Sequence, residues 1–248
     1  MERDPLFDVG GLSVLVAGGA GGLGAVLAEA FAERGAKVLV ADLGMRLAER
    51  DATRFASHPL DVTDARSCEQ VIEAAEQRFS RLDVLVNATG VYRTAPALGL
   101  SLTDWKMTID VNLTGAFLLA QAAGRVMVPR RSGRIITLAS VSSAVSNPEY
   151  AAYAASKAGV AHLTRVLAVE WAAHGVTVNA IGPAMTETAM TAPVFNDPAR
   201  KQAALARIPA GRFARPDDIV GTALFLAAPA GAFITGQVLY VDGGRTVS

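Results

Sequence analysis

The sequence predicts an α/β chain: a single doubly wound sheet of about seven parallel strands with helices on both faces. Three observations carry this. Short runs that are apolar throughout, rather than alternating, recur along the chain, as expected of parallel strands covered on both sides. Longer stretches with helical spacing lie between them, so strand and helix alternate. The 248 residues, 51% hydrophobic and 19% charged, supply one large core and fit a single domain spanning 1–248. There is no repeat, low-complexity segment or interdomain linker.

The elements follow in order. "LSVLVAG" is the first strand, and a helix over Leu23–Glu33 leads to the second, "AKVLVAD". A short third strand ends at Asp61–Val62. Asp64 is placed to cap a helix over Ala65–Phe79, and "LDVLVNAT" is the fourth strand. Thr103 is the expected N-cap of a long helix to Met127, followed by the strand "GRIITLAS" and a helix over Tyr153–Ala173. "VTVNAIG" is the sixth strand, Asp217–Leu226 the last helix and "QVLYVDGG" the last strand. Between Met185 and Phe213 no strand pattern is clear. Irregular segments of that length are often binding loops, so this one is a candidate substrate loop.

Composition excludes several functions. The formal net charge is zero and the pI is 6.8, so nothing draws the chain to a polyanion and no nucleic-acid partner is expected. Cys68 is the single cysteine. It cannot form an intramolecular disulfide, which fits a reducing, cytoplasmic compartment. The start, "MERDPLFD", lacks the basic-then-apolar pattern of an export signal. From Ile219 to Val241 no residue is charged, a length that can span a bilayer. Pro229, Gly231 and Gly236 interrupt it, so the reading is a buried helix, a turn and a buried strand, with no membrane partner. His58, His162 and His174 share no ligand spacing, so no metal is expected. No G-x-S-x-G elbow marks a hydrolase.

In such sheets ligands bind beyond the carboxyl ends of the strands. That rim holds Ala17–Gly24 with Leu23, Asp42, Asn87–Gly90, Ala139–Ser143 and Ile181–Thr188, including Pro183 and Thr186. Gly18, Gly22 and Gly24 sit between a strand and a helix, where the backbone can approach a pyrophosphate at a helix N-terminus. Asp42 ends the second strand 18 residues beyond Gly24. A carboxylate there accepts from ribose hydroxyls and repels a 2′-phosphate, favouring NAD over NADP. Arg46 is the only nearby cation to answer such a phosphate. Asp61 and Val62 are expected to border the adenine.

The stretch "NPEYAAYAASKAG" holds two of four tyrosines and one of four lysines. Tyr153 and Lys157 are four apart and share one helix face. A phenol is a weak base at neutral pH, and a nearby ammonium lowers its pKa. Tyr150 has Ala154 four residues on, so Tyr153 is the expected proton carrier. Ser140 closes a strand at the same rim, where its hydroxyl can hold a substrate oxygen. Ser142 and Ser143 are its neighbours and competitors. Asn112, among apolar residues of the long helix, is expected to hold a water linking Lys157 to solvent.

Together these residues resemble the short-chain dehydrogenase/reductase family over Gly18–Gly244. The family's TGxxxGxG appears as "AGGAGGLG", its NNAG as "NATG", and its Asn, Ser, Tyr and Lys fall on Asn112, Ser140, Tyr153 and Lys157. "PAMTET" places Thr188 on the family's threonine, and "VDGG" matches near the C-terminus. Ala17, Ala88–Thr89 and Ala184 depart from the pattern without removing a catalytic group.

The resemblance implies a Rossmann-type domain binding NAD through Gly18, Gly22, Leu23, Gly24, Asp42, Asp61, Val62, Asn87, Gly90, Tyr153, Lys157, Pro183, Thr186 and Thr188. It implies hydride exchange with a secondary alcohol. In that reading Tyr153 carries the proton, Lys157 lowers its pKa and holds the nicotinamide ribose, Ser140 steadies the oxygen and Asn112 completes a relay. A homotetramer is implied, with the last strand and two long helices at its interfaces. "GVYRTAP" and "IPAGRFARPDDIVGTALFLA" resemble gluconate 5-dehydrogenases and other sugar-acid dehydrogenases. On that match Arg93 meets a substrate carboxylate, and Tyr150, with Glu149, Met185, Met190 and Phe195, is a further pocket candidate. The competing readings are a 3-oxoacyl-thioester reductase using NADPH and a noncatalytic dinucleotide-binding scaffold.

Overall fold

The computed structural model describes residues 4–47 and 55–248. The apolar runs form parallel strands β1 (Ser13–Ala17), β2 (Lys37–Asp42), β3 (Ala56–Pro59), β4 (Val84–Asn87), β5 (Gly133–Leu138), β6 (Val176–Pro183) and β7 (Val238–Val241). Among the described residues they make one seven-stranded sheet in the order β3-β2-β1-β4-β5-β6-β7, every pair parallel. The helices are α1 (Gly22–Glu33), α2 (Gly44–Leu47), α3 (Ala65–Phe79), α4 (Leu102–Ile109), α5 (Gly115–Arg130), α6 (Ala151–Trp171), α7 (Ala192–Phe195), α8 (Pro198–Leu205) and α9 (Asp217–Ala227). Strand order reverses between β1 and β4. The connections there leave in opposite directions and open a crevice at the strands' carboxyl ends.

Period two along the strands splits the core into two layers. Leu15, Ala17 and Leu39 face α3, α5 and α6, where Val71, Ile72, Leu119 and Met127 are buried. Val14, Val16, Val38 and Val40 face α1 and α9, where Leu27, Phe31, Ile219 and Leu226 are buried. At about 25 cal/mol per Å² of apolar surface, this two-sided burial dominates the stability of the sheet.

Several boundaries differ from the sequence expectation. The long helix begins at Leu102, and its N-cap is Ser101 rather than Thr103. Ser101 Oγ accepts from Asp104 N at 3.0 Å and donates to the Asp104 carboxylate at 2.7 Å, so each end of the Ser–Asp pair serves the other. That helix is also not uniform: Asp110–Thr114 forms a π-helical turn between α4 and α5. Asp64 does cap α3, accepting from Arg66 N at 2.9 Å. Strand β3 stops at Pro59, so Asp61 and Val62 lie just past it. The segment after β6 carries α7 and α8, and it is pinned by a bridge between Thr186 and Ala214.

The uncharged segment folds as α9, a turn and β7, with β7 half-buried rather than buried because it is the sheet's edge. Another stretch, Leu102–Arg130, is long and apolar enough to cross a membrane. Half of its apolar window is buried inside the molecule, with Leu119 and Met127 in the layer shared with α3. It is a core helix.

Candidate active site

One cleft of about 810 Å³ runs along the carboxyl rim of the sheet. It holds nearly every residue singled out from the sequence, and each arrives there for a local reason.

At the first turn, Gly18 has φ +75°, and a Cβ on it would lie 2.8 Å from the Ala88 backbone. A Cβ on Gly24 would lie 2.2 Å from the Gly18 carbonyl oxygen. These two glycines serve close packing of β1, α1 and the β4 exit. Gly22 differs: its φ is +53° and nothing lies within 4 Å of where a Cβ would stand. Gly21, the N-cap of α1, has no side chain to satisfy the first N–H groups of the helix. The turn therefore presents free amides and partial positive charge to open space, with Leu23 beside it. This geometry fits a diphosphate.

Asp42 closes β2 and is buried at 7% exposure. Its carboxylate accepts from Ala20 N at 3.1 Å and from Leu43 N at 2.8 Å. It thus holds the glycine turn and also lines the cleft, with Arg46 beside it. Asp61 and Val62 line the same end. Asp61 accepts from Thr63 N at 2.9 Å, and Val62 packs where a Cβ on Gly115 would meet it at 2.8 Å. Gly24 and Asn87 are the exceptions among the expected cofactor residues, Gly24 lying outside the lining because it packs on the Gly18 backbone. Asn87 also lies outside the cleft lining, and its Oδ1 accepts from Thr89 N at 3.1 Å and Thr89 Oγ1 at 2.7 Å. It shapes the β4 exit instead.

Gly90, next along that exit, lines the cleft; a Cβ there would stand 3.3 Å from Asn112 Oδ1 and 3.7 Å from Lys157 Nζ. At the other side Pro183, Thr186 and Thr188 line the wall. Thr191 Oγ1 ties this corner by donating to the Thr186 carbonyl at 2.6 Å.

The catalytic candidates converge. Ser140, at the end of β5, accepts from Ser142 N at 3.1 Å and is hydrogen-bonded to Tyr153. Of its competitors, Ser143 is engaged elsewhere, while Ser142 lines the cleft beside it. Ser143 Oγ donates to the Ser140 carbonyl at 2.7 Å and meets Tyr240 OH at 2.9 Å, and Ser142 is held by its amide. Lys157 Nζ donates to the Leu138 carbonyl at 2.7 Å and stands 5.9 Å from the centre of the Tyr153 ring.

The electrostatics correct the sequence expectation. Burial pushes the Tyr153 phenol up to about 12; the Ser140 hydrogen bond opposes this and Tyr150 adds to it. Burial also pushes the Lys157 ammonium down to about 8. Burial thus works against charge on both partners, on the phenolate and on the ammonium.

Asn112 is fixed by three hydrogen bonds. Its Oδ1 accepts from Val91 N at 2.8 Å, and its Nδ2 donates to the Val91 carbonyl at 3.0 Å and to Ser156 Oγ at 3.1 Å. Both amide hydrogens are spent, leaving one Oδ1 lone pair for the water expected there from the sequence. The side chain clamps the β4 exit onto the helix that carries Tyr153.

Sequence reasoning missed Tyr92. It donates to Tyr150 OH, and its ring meets those of Tyr150 and Tyr153 edge-on at 5.4 and 5.1 Å. The signal was available: three of the chain's four tyrosines lie in "GVYRTAP" and "NPEYAAYAASKAG". Burial drives the Tyr92 phenol well above its ordinary value, so it stays a donor. Arg93 lines the cleft, is exposed, and donates to the Met107 sulfur at 4.0 Å. Met185 and Met190 line the cleft, whereas Glu149 and Phe195 lie outside its lining. Phe195 packs on Phe213 at 4.7 Å instead, and Glu149 faces Arg200 at 4.0 Å. No cluster of metal ligands occurs among the described residues.

Comparison with known proteins adds to this geometry. A family model described as Enoyl-(Acyl carrier protein) reductase matches residues 18–246. The chain is 41% identical to D-threitol dehydrogenase of Mycolicibacterium smegmatis, covering 97% of this chain and 95% of that protein. It is 39% identical to 3-oxoacyl-[acyl-carrier-protein] reductase of Synechocystis sp., over 94% and 96% of the two chains. Among solved structures, gluconate 5-dehydrogenase from Burkholderia cenocepacia J2315, in complex with NADP and tartrate, superposes with a TM-score of 0.92. It shares 35% identity, with 98% of each chain covered.

Proposed function

The chain belongs to the short-chain dehydrogenase/reductase family, and from that premise we propose that it exchanges hydride between a nicotinamide dinucleotide and a secondary alcohol of a polyol or sugar acid. The observation that carries this reading is the meeting of Ser140, Tyr153 and Lys157 in the cleft that the glycine turn opens.

The bound dinucleotide supplies the hydride acceptor or donor. Everything else falls to the chain. The free amides at the start of α1 receive the diphosphate. Ser140 Oγ holds the substrate oxygen at the rim of β5. In reduction the Tyr153 phenol gives its proton to that oxygen; in oxidation the Tyr153 phenolate takes the alcohol proton. Lys157 stands beneath the ring as the buried cation that favours the phenolate, and Asn112 keeps the β4 exit and α6 in register.

The reading favours NAD. Asp42 holds a fixed carboxylate in the cleft lining, a charge that would repel a 2′-phosphate brought near it. The Burkholderia relative was solved with NADP, and Arg46 stands at the same end, so the preference is open to direct measurement. Titration with NADH and with NADPH, followed by nicotinamide fluorescence, is expected to show tighter NADH binding. Tighter NADPH binding would overturn the Asp42 argument and promote the 3-oxoacyl-thioester reductase reading, which the Synechocystis relative also favours. Tyr153→Phe tests the chemistry itself. It is expected to lose nearly all turnover of polyols and sugar acids while dinucleotide binding persists. Retained turnover would remove Tyr153 from the mechanism.

A further inference from the structure

We propose that Arg207 and Arg245, gathered on Asn147, form the carboxylate-binding pole of the substrate cleft, so that this chain selects acids over neutral polyols. The inference rests on the reading above and names the substrate class for it.

Charge along the cleft is uneven. The only carboxylates in its lining, Asp42 and Asp61, stand at the end assigned to adenosine. Past Ser140 the lining is free of carboxylates and carries Arg207 and Arg245. Both guanidiniums turn to one neutral acceptor: Arg207 donates to Asn147 Oδ1, and Arg245 donates to the same oxygen at 3.4 Å. Among the described residues neither arginine has a carboxylate partner. Arg81, Arg125, Arg130, Arg200 and Arg212 each do. One amide oxygen cannot neutralise two cations, and each guanidinium has five N–H donors, so most remain for an anion.

The pair is also built in. Ile208, next to Arg207, is buried against Val141, which follows Ser140. Arg245 rides on a turn locked by Asp242, whose carboxylate accepts from Gly244 N at 3.0 Å and from Thr246 N and Oγ1 at 2.7 Å. Ala210 N donates to the Gly243 carbonyl at 3.0 Å and joins the two segments. Asn147 lies three residues before Tyr150 on the loop that enters α6. Segments from three parts of the chain thus hold the two cations together, Arg207 being next to the residue that packs on Val141 beyond Ser140. A substrate carrying its alcohol at Ser140 and Tyr153 and a carboxylate a few carbons off spans both poles.

The test compares D-gluconate with D-threitol on the wild-type protein and on Arg207→Gln/Arg245→Gln. Both side chains are at least partly exposed, so the variant is expected to fold. The expected result is a KM for D-gluconate raised about tenfold to a hundredfold, the loss of one or two charge-assisted hydrogen bonds. The KM for D-threitol should stay within about twofold, and Arg207→Lys should recover part of the loss. Equal effects on acid and polyol overturn the inference, as does an acid preference erased by Arg93→Ala alone.

Calorimetric titration with D-gluconate separates this inference from the function it rests on. Binding that weakens in the variant, without turnover in the wild type, upholds the anion pole and sinks the reaction. Turnover with unchanged KM in the variant does the reverse. No binding to the wild type, or displacement by equimolar inorganic phosphate, overturns the carboxylate assignment.

Discussion

Lys157 shows what function costs at the scale of one residue. Its ammonium is buried, donates to a single carbonyl and has its pKa pushed down to about 8 by desolvation. In the unfolded chain the same amine keeps its ordinary value of 10.5. Between those two values the unfolded chain binds more protons, so this group's contribution to stability improves as pH rises through that window. Below about 8 the full penalty is present. Lys157→Met is therefore expected to raise the melting temperature of the dinucleotide-free protein at neutral pH, by roughly 2 kcal/mol of stability, while abolishing turnover. Thermal melts from neutral pH to above the ordinary lysine range check this. The gain must shrink as pH rises, and a variant less stable than wild type at neutral pH would show that the contacts of Lys157 outweigh its desolvation. The identity of this residue was legible in the sequence from its spacing to Tyr153. The sign of the phenol shift was not, because spacing reports proximity and not the depth of burial that sets the balance.

At the scale of elements, the π-helical turn Asp110–Thr114 is the feature the sequence hid. Helical spacing runs through it without interruption, and a π turn has no apolar period of its own, so one long helix was the natural expectation. Yet the turn brings Asn112 to both polar groups of Val91 and to Ser156. Ser156 Oγ in turn donates to the Tyr153 carbonyl at 2.7 Å. Asn112→Ala leaves the half-buried Val91 groups unpaired and cuts the tie between the β4 exit and α6. The expected result is about 1–3 kcal/mol of lost stability and a turnover reduced roughly tenfold to a hundredfold as Tyr153 loses its fixed position. Denaturant unfolding and steady-state kinetics on one preparation decide it. Full activity with lowered stability would confine Asn112 to packing. Ser101 teaches the same limit on a smaller scale. Thr103 and Ser101 are both good caps, and only the backbone shows which hydroxyl meets an amide.

At the scale of the molecule, the parallel sheet with both faces covered followed from apolar runs of the right length, whereas the strand order is seen only in the fold. What the runs do not encode is the surface that remains apolar. On α6, Val166 is 42% exposed and Val169 83%, three residues apart on one face, and Phe117 on α5 is 39% exposed. Phe233 is fully exposed just before β7, an edge strand whose outer backbone groups have no strand partner among the described residues. Two apolar features of different kind, a helix face and an open edge strand, predict two interfaces and a tetramer built as a dimer of dimers. Sedimentation velocity is expected to show a tetramer for the wild type. A dimer is expected for Val166→Glu/Val169→Glu and, independently, for Phe233→Asp. A monomeric wild type would refute the assembly, and a single variant that takes the tetramer straight to monomers would refute the two-interface scheme. The two dimers should also differ in catalysis. β7 leads into the Asp242 turn that fixes Arg245, so loosening the edge-strand interface is expected to raise the KM for an acidic substrate several-fold. The helix-face dimer should keep it.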